Sequence, residues 1–245
     1  PDRQGEVCHR YILGVYSLYE RLTSEFPRVL FESCASGGGR FDPGMLYYAP
    51  QCWTSDDSDA AERLKIQYGT SFCYPVSSMG AHVSAVPNHQ VNRVTPLYTR
   101  ANVAFFGAFG YELDLGRLTE EERSQVREQI AFMKEYREVL QFGDFYRLLS
   151  PFEGNITAWM VVSPDRRTAL AGWYRTLNEV NGPFRRMKLR GLDPALDYTV
   201  NGCSVHGGDE LMEVGLLTTD SAAGECQAGE RPTCDFDSRV YVLQA

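Results

Sequence analysis

The sequence lacks a long apolar run and a surplus of basic residues, and each absence excludes a class of function. No stretch approaches the roughly 18 to 20 apolar residues of a membrane span, and no basic-then-apolar signal segment opens the chain. The 24 basic and 32 acidic residues give a formal charge of −8, so a nucleic acid or an anionic membrane surface would repel the protein. We therefore expect a cytoplasmic protein that binds neither of them and whose ligand is neutral.

The sequence also lacks the spacings of a metal site. Its seven cysteines are scattered without the C-x-x-C pairs of a zinc site, and its four histidines show no ligand spacing. We therefore expect no bound metal and cytosolic thiols. Only Cys226 and Cys234 are close enough in sequence to suggest a disulfide, and an intracellular composition disfavours that pairing.

Three long helices are predicted in residues 1–148. The first follows from apolar residues that recur at steps of three to four positions near the start of the chain. The other two follow from capping boxes, the first formed by Asp59 with Glu62 and the second by Thr119 with Glu122. The predicted helices run over 3–26, over about 60–68, and from 119 to near Gly143.

Four apolar runs between these helices are typical of buried strands. Strand followed by helix, repeated, predicts a parallel sheet with helices packed outside it. Four strands fit part of a (β/α)8 barrel, whose eight strands normally need about 250 residues. The pattern alone allows either a smaller open sheet or a chain that begins in the middle of a barrel. The predicted strands are 28–36, 51–56, 70–77 and 101–113.

The pattern changes at about residue 149, where short runs separated by turn signals begin. In RMKLR, Met187 and Leu189 alternate with basic residues, as in a strand with one solvated face. We expect an antiparallel β-sandwich over 149–245, with a polar surface loop over 218–234. The predicted strands are 157–163, 168–176, 184–191, 197–202 and 238–244.

Three consecutive glycines follow the first predicted strand, within the run SCASGGGRFD (33–42). In a parallel barrel the catalytic groups lie at the carboxyl ends of the strands. Glycines at such a position let backbone amides and a ligand approach closely. The alternative is a flexible turn with no function, since the run lacks the G-x-G-x-x-G spacing of a dinucleotide site.

The second predicted strand ends in an acidic cluster, WTSDDSD (53–59). The capping box accounts for Asp59, and Asp57 is expected to face solvent or support the loop. Asp56 lies directly at the strand end near Trp53, whose indole could bind a sugar ring and desolvate the carboxyl group. Desolvation raises a carboxyl pKa, as a general acid working near neutral pH requires. Core packing is the alternative role for Trp53.

Three motifs, at 30–71, 74–90 and 109–115, together resemble the family 36 glycoside hydrolases, the microbial α-galactosidases also called melibiases. The resemblance implies a retaining mechanism with two carboxylates on a (β/α)8 barrel and no cofactor. It also implies that the substrates are α-galactoside oligosaccharides of the melibiose and raffinose type, and that the full-length enzyme is a homo-oligomer.

The resemblance assigns roles to four residues. Asp56 becomes the acid/base, and Trp53 precedes it in the same WTSD motif. Cys34 and Gly37 of SCASGG line the galactose pocket together with Trp53. Without the resemblance, Cys34 would be interpreted as a small buried hydrophobic residue.

One departure from the family pattern concerns the nucleophile, the aspartate of a Lys-Trp-Asp motif that this sequence does not contain. Galactose-binding residues of earlier strands are also missing. We therefore predict an α/β plus all-β chain, in which the C-terminal half of a (β/α)8 barrel (1–148) precedes the β-sandwich (149–245). The chain alone would be an incomplete and inactive part of the enzyme.

No acid within the chain is predicted to replace the nucleophile. Glu32 precedes Cys34 by two positions and is expected to lie deeper, paired with a basic residue. Asp42 is followed by Pro-Gly and is interpreted as a turn or loop-anchoring residue. The alternative function is a non-catalytic galactoside-binding protein derived from such an enzyme.

Overall fold

A computed structural model describes residues 2–180, 183–218 and 234–245. Its first part alternates helices with short strands, and its second part consists mainly of strands. The first elements are α1 (Gln4–Glu25), β1 (Glu32–Ser33), α2 (Pro43–Tyr48), β2 (Gln51–Cys52), α3 (Ala60–Thr70), β3 (Gly80–Ser84), α4 (Leu97–Ala104), β4 (Ala108–Glu112) and α5 (Glu120–Phe142). The later elements are β5 (Asp144–Leu149), β6 (Ile156–Val162), β7 (Thr168–Arg175), β8 (Arg186–Met187), β9 (Asp197–Val200), β10 (Ser204–Gly207), α6 (Gly208–Glu213), β11 (Leu216–Leu217) and β12 (Asp237–Gln244).

The first four strands are parallel and follow one another in chain order. β1 pairs with β2, and β3 pairs with β4. A parallel bridge between Cys52 and Met79 connects the two pairs. Because parallel strands end at a common edge, the segments that follow β1 and β2 are brought together there.

The helix predictions are confirmed, but only one of the two predicted capping boxes is complete. The Thr119 hydroxyl accepts from the Glu122 amide while the Glu122 carboxylate accepts from the Thr119 amide, which completes the capping box of α5. Asp59 accepts from two amides at the start of α3, but its own amide donates to Asp57 rather than to Glu62. Asp42, predicted as a turn residue, is the N-cap of the short helix α2.

One strand prediction, 70–77, is wrong, and another, 101–113, is right only over β4 (Ala108–Glu112). Residues 70–77 cover the end of α3, a turn and the start of a short 3₁₀ helix; Pro75, which has no backbone N–H to donate, immediately precedes that helix. Within 101–113, residues 101–104 complete the helix α4, which begins directly after Pro96. The first strand is also much shorter than 28–36, since only Glu32 and Ser33 pair with a neighbour.

The second part contains a six-stranded antiparallel sheet with the order β10-β9-β12-β7-β6-β5. A separate two-stranded sheet joins β8 to β11, so only Arg186 and Met187 of the predicted strand 184–191 are in a strand. Strand β5 spans the predicted boundary between residues 148 and 149. The loop predicted over 218–234 lies almost wholly outside the described ranges and stays a prediction. Cys226, one partner of the disfavoured disulfide, also lies outside them.

Both faces of the central strands β6 and β7 are buried, which gives two apolar cores. One face, with Trp159, Leu170 and Tyr174, packs against helices α4 and α5. The opposite face packs against residues of the small sheet and of β9, among them Met187 and Tyr198. The sheet is therefore apolar on both sides along these strands, as a layer between two others requires.

Polar contacts also join α4 to the last strand of the sheet. The Thr99 hydroxyl donates to the Phe236 carbonyl at 2.6 Å, and the side-chain amide of Asn102 donates to the Ser238 hydroxyl at 2.9 Å. Tyr98 donates to the Asp237 carboxylate at 3.1 Å. The sheet therefore contacts the parallel-strand part through specific hydrogen bonds as well as apolar packing.

We expect residues 1–245 to self-associate in isolation. Helix α1 has no buried residue, and its apolar residues Val7, Tyr11 and Leu18 share one face and are each more than half exposed. Sedimentation velocity should reveal species larger than a monomer, and the double variant Val7→Glu/Leu18→Glu should reduce them. The variant Val214→Glu, at a similarly exposed residue after α6, should have no effect. A parent chain that sediments only as a monomer would contradict this expectation.

Candidate active site

The chain reverses direction immediately after β1, in a turn that needs glycine. Gly37 has a φ of +79°, a left-handed conformation that residues with a Cβ adopt only at a cost. The Ala35 amide donates to the Gly37 carbonyl at 2.9 Å, and the Gly39 amide donates back to the Ala35 carbonyl at 3.2 Å. These hydrogen bonds make the glycine run an ordered turn rather than a flexible loop.

The glycine turn lies directly against the segment that follows β2. A Cβ placed on Gly37 would be 2.7 Å from the Ser55 Cα and 3.1 Å from the Asp56 nitrogen. A Cβ on Gly38 would be 3.0 Å from the Thr54 carbonyl oxygen. The glycines therefore permit backbone-to-backbone contact between the loops of two neighbouring strands, and this contact positions Asp56.

The side chain of Arg40 fixes the start of the glycine turn. Its guanidinium donates to the Cys34 carbonyl at 2.9 Å and to the Tyr11 hydroxyl at 3.0 Å. The Cys34 side chain is exposed, so it is not the small buried hydrophobic residue that a cysteine usually is. Arg40 was not singled out in the sequence, although its place directly after the glycines was a usable signal.

The structure distinguishes the three aspartates of the acidic cluster. Asp59 is 1 % exposed and caps α3, and an Asp57 carboxylate oxygen accepts from the Asp59 amide at 3.0 Å. These contacts confirm the helix-capping role of Asp59 and the loop-supporting role of Asp57. Asp56 is exposed, and its carboxylate makes no hydrogen bond or ion pair within the described part of the chain. It is therefore the carboxylate of the three that is open to a ligand.

Trp53 is engaged mainly inside the protein. Its side chain is 9 % exposed, and its ring is stacked on the His82 imidazole with a centroid distance of 4.5 Å. The Arg63 guanidinium lies 4.9 Å from the centre of the same ring. Contact with a sugar ring, as the sequence suggested, remains a prediction, and only a small part of the indole is accessible for it.

The sequence did not point to His82 and Glu112 as a contacting pair. His82 lies in the middle of β3, and its Nδ1 is 3.5 Å from a carboxylate oxygen of Glu112 at the end of β4. The signal available was the parallel pairing of the two strands, because residues of like parity on adjacent strands share a face. A strand prediction shifted to 70–77 concealed that signal.

Arg63 of α3 carries a buried charge beside this group. Its side chain donates to the Gln67 amide oxygen and to the Gly80 carbonyl, while its third nitrogen, Nη1, has no partner within the described residues. Burial lowers the pKa of Arg63 to about 10, and the nearby carboxylates of Asp57 and Glu112 oppose that shift. The positive charge therefore lies near the carboxyl ends of β2 and β4.

Glu32 has a different partner from the one expected. Its carboxylate accepts from the side-chain amide of Gln51 on the adjacent strand, rather than from a basic residue. Glu32 is exposed. The partner is the residue directly opposite in the parallel register, which local sequence does not reveal.

Two features are absent from the described residues, a metal-binding cluster and a helix that could cross a membrane. Across residues 2–180, 183–218 and 234–245, no group of three potential metal-ligating side chains is close enough to hold an ion. None of the helices in those same ranges combines the length and the apolar character that crossing a membrane demands.

Comparison with known protein families shows which family the chain belongs to. The Melibiase family model matches residues 1–143, and the model for the glycosyl hydrolase family 36 C-terminal domain matches residues 156–243. The chain belongs to the melibiases of family 36. The resemblance in the three motifs is thereby confirmed.

Several curated relatives of this melibiase chain are α-galactosidases. It is 60 % identical over 216 residues to α-galactosidase AgaA of Geobacillus stearothermophilus, a match covering 88 % of the chain and 30 % of AgaA. It is 48 % identical over all 245 residues to α-galactosidase Mel36A of Lactobacillus acidophilus, covering 32 % of that protein. The melibiase chain thus spans about a third of the length of these relatives.

Solved structures of family 36 members extend the similarity to the whole chain. A variant of AgaA in complex with raffinose aligns with 100 % of the chain and 32 % of its own, with a TM-score of 0.91 and 54 % identity. The α-galactosidase of Lactobacillus brevis aligns equally well, with a TM-score of 0.91 and 53 % identity, over 33 % of its own chain. Both parts of the melibiase chain therefore have counterparts in these enzymes.

Proposed function

We propose that this chain is the C-terminal portion of a retaining α-galactosidase, which removes terminal α-D-galactosyl residues from α-galactosides. In this proposal residues 1–148 form the C-terminal half of a (β/α)8 barrel, and residues 149–245 form the accompanying β-sandwich domain. The four parallel strands β1 to β4 support the half-barrel, since a complete barrel requires eight. The nucleophile then belongs to a part of the enzyme outside this chain.

The observation that carries the proposal is the contact between the glycine turn and the Asp56 loop. The carboxyl ends of parallel strands are where barrel enzymes assemble their sites. Gly37 lies against the backbone of Ser55 and Asp56 at this edge, and the Asp56 carboxylate is exposed and unpaired in the described chain. The exposure of Asp56 differs from the desolvation by Trp53 that the sequence suggested, but it leaves the carboxylate accessible to a glycosidic oxygen, as proton transfer requires.

In the proposed reaction Asp56 acts twice. It first donates a proton to the glycosidic oxygen while the nucleophile attacks the anomeric carbon, so that the leaving sugar departs as a neutral alcohol. The resulting carboxylate then removes a proton from the water that attacks the glycosyl-enzyme and releases galactose. Cys34, Gly37 and Trp53 contribute to the galactose pocket, and no cofactor takes part.

The substrate class follows from the relatives. Structures of AgaA variants contain raffinose or stachyose, both α-galactoside oligosaccharides. These sugars are uncharged, in agreement with the expectation of a neutral ligand. Association of the full-length enzyme into a homo-oligomer stays part of the proposal.

We expect residues 1–245 alone to hydrolyse no aryl α-galactoside, because a retaining enzyme without its nucleophile cannot form the covalent intermediate. A chimaera in which this chain replaces the matching segment of AgaA should hydrolyse raffinose. Release of galactose by the two proteins measures the difference. Turnover by the chain alone that Glu32→Gln abolishes would assign the nucleophile to Glu32. A folded but inactive chimaera, with galactose binding by the chain, would favour the non-catalytic alternative.

A further inference from the structure

The loop that carries Asp56 is held by a second segment, the connection between β3 and α4. The Ser84 hydroxyl donates to the Ser58 carbonyl at 2.8 Å, and the side-chain amide of Asn88 donates to the Ser58 hydroxyl at 3.2 Å. Arg93 forms an ion pair with the carboxylate of Asp59. The last residue of β3 and two residues of the connection therefore contact the two residues that precede α3.

The carboxylate in this ion pair is buried, since Asp59 is 1 % exposed. A buried carboxylate needs a partner, and removing that partner leaves an uncompensated charge. The same Asp59 oxygen also accepts from the amides of Ala61 and Glu62, while the Asp59 amide donates to Asp57. Arg93 thus pairs with a residue, Asp59, that is hydrogen-bonded both to the residues that follow it and to Asp57 before it.

The opposite side of Arg93 faces the second part of the protein. Its guanidinium carbon lies 5.2 Å from the centre of the Phe236 ring, a cation–π distance. Phe236 has a φ of +57° and is fixed by two backbone contacts, since its amide donates to the Thr176 carbonyl and its carbonyl accepts from Thr99. Arg93 is therefore held between a fixed aromatic ring and the start of α3.

We propose that Arg93, supported by Phe236 of the second part, is a positioning residue that sets the place of the Asp56 carboxylate through Asp59. This inference rests on the proposed role of Asp56 as the acid/base. Proton transfer depends on sub-ångström placement of the carboxyl group. Loss of the ion pair would allow residues 56–59 to shift, while the galactose pocket, formed by other residues, stays in place.

The test uses the AgaA chimaera and two substrates that differ in their need for a proton. Raffinose requires protonation of its leaving sugar, whereas 2,4-dinitrophenyl α-galactoside releases a stable phenolate. Arg93→Met should lower kcat/KM for raffinose by about tenfold and for the dinitrophenyl substrate by less than about twofold. Asp59→Asn, which keeps a side-chain acceptor for the helix cap, should give the same selective loss without depending on the first variant's folding.

Controls separate positioning from simple destabilisation. Glu62→Gln removes a carboxylate 3.9 Å from Arg93 and should leave both substrates unaffected. Arg93→Lys should recover part of the raffinose activity, because it restores the charge. Equal losses on the two substrates, or no loss, would overturn the positioning role. If Asp56→Ala shows no such selectivity, the proposed function itself fails; if Asp56→Ala shows it and Arg93→Met does not, only this inference fails.

Discussion

Asp56→Ala in the AgaA chimaera should slow the hydrolysis of raffinose by about 10²- to 10⁴-fold, the usual contribution of positioned proton transfer. The leaving sugar then departs without a proton, so the first chemical step becomes slow. A substrate whose leaving group needs no proton should pass that step and accumulate the glycosyl-enzyme, because the water that resolves it has lost its base. Mass spectrometry of the intact protein would detect the trapped galactosyl group.

Azide provides the decisive readout for this variant. Azide attacks without needing a base, so its addition should restore turnover of the activated substrate in Asp56→Ala. The product should be the α-configured galactosyl azide, which results from two inversions. Asp57→Ala and Asp59→Ala should show no rescue, since the structure assigns these residues to loop support and helix capping. Rescue of Asp57→Ala but not Asp56→Ala would move the acid/base by one position.

Gly37→Ala should reduce raffinose hydrolysis in the same chimaera by about 10²-fold, the effect of a displacement of roughly 1 Å in a catalytic group. The new Cβ would be 2.7 Å from the Ser55 Cα, a contact that forces one of the two backbones to move. The positive φ of Gly37 adds strain of about 1–3 kcal/mol, so the melting temperature should fall as well. Steady-state kinetics and thermal unfolding measure both effects.

Gly69→Ala is the matched control for this substitution. Gly69 lies within α3, and a Cβ built on it has no neighbour within 4 Å. Alanine is the better helix former by about 0.5–1 kcal/mol, so this variant should retain full activity and be slightly more stable. Full activity in Gly37→Ala as well would show that the contact between the two loops has no role in catalysis.

The parts of the fold that local chemistry determines were predictable from the sequence. The apolar stripe over 3–26 corresponds closely to α1, and Thr119 with Glu122 marks the start of α5. Strand bounds were not predictable in the same way. β1 contains only two paired residues, and its length depends on which residues of β2 lie beside it. Apolar character in the flanking residues carries no information about that pairing.

In the candidate site, too, contacts between sequence neighbours were predictable and contacts between distant residues were not. Capping geometry separated Asp59 from Asp56, because an N-cap contacts amides only two or three residues away. The stacking of Trp53 on His82 and the ion pair of Asp59 with Arg93 join residues of different elements. The Arg93 contact spans 34 positions in the sequence, so it becomes visible only when the chain is folded.

The position of β12 in the sheet has a consequence for synthesis of the protein. β12 lies between β9 and β7, although it is the last of the described strands to leave the ribosome. At about 5–20 residues per second, translation from Arg175 to Gln244 takes roughly 3–14 s. Throughout that interval one edge of β7 lacks its partner and offers unpaired backbone groups to other nascent chains. Chaperone occupancy on translating ribosomes should therefore rise after β7 emerges and fall once β12 is complete.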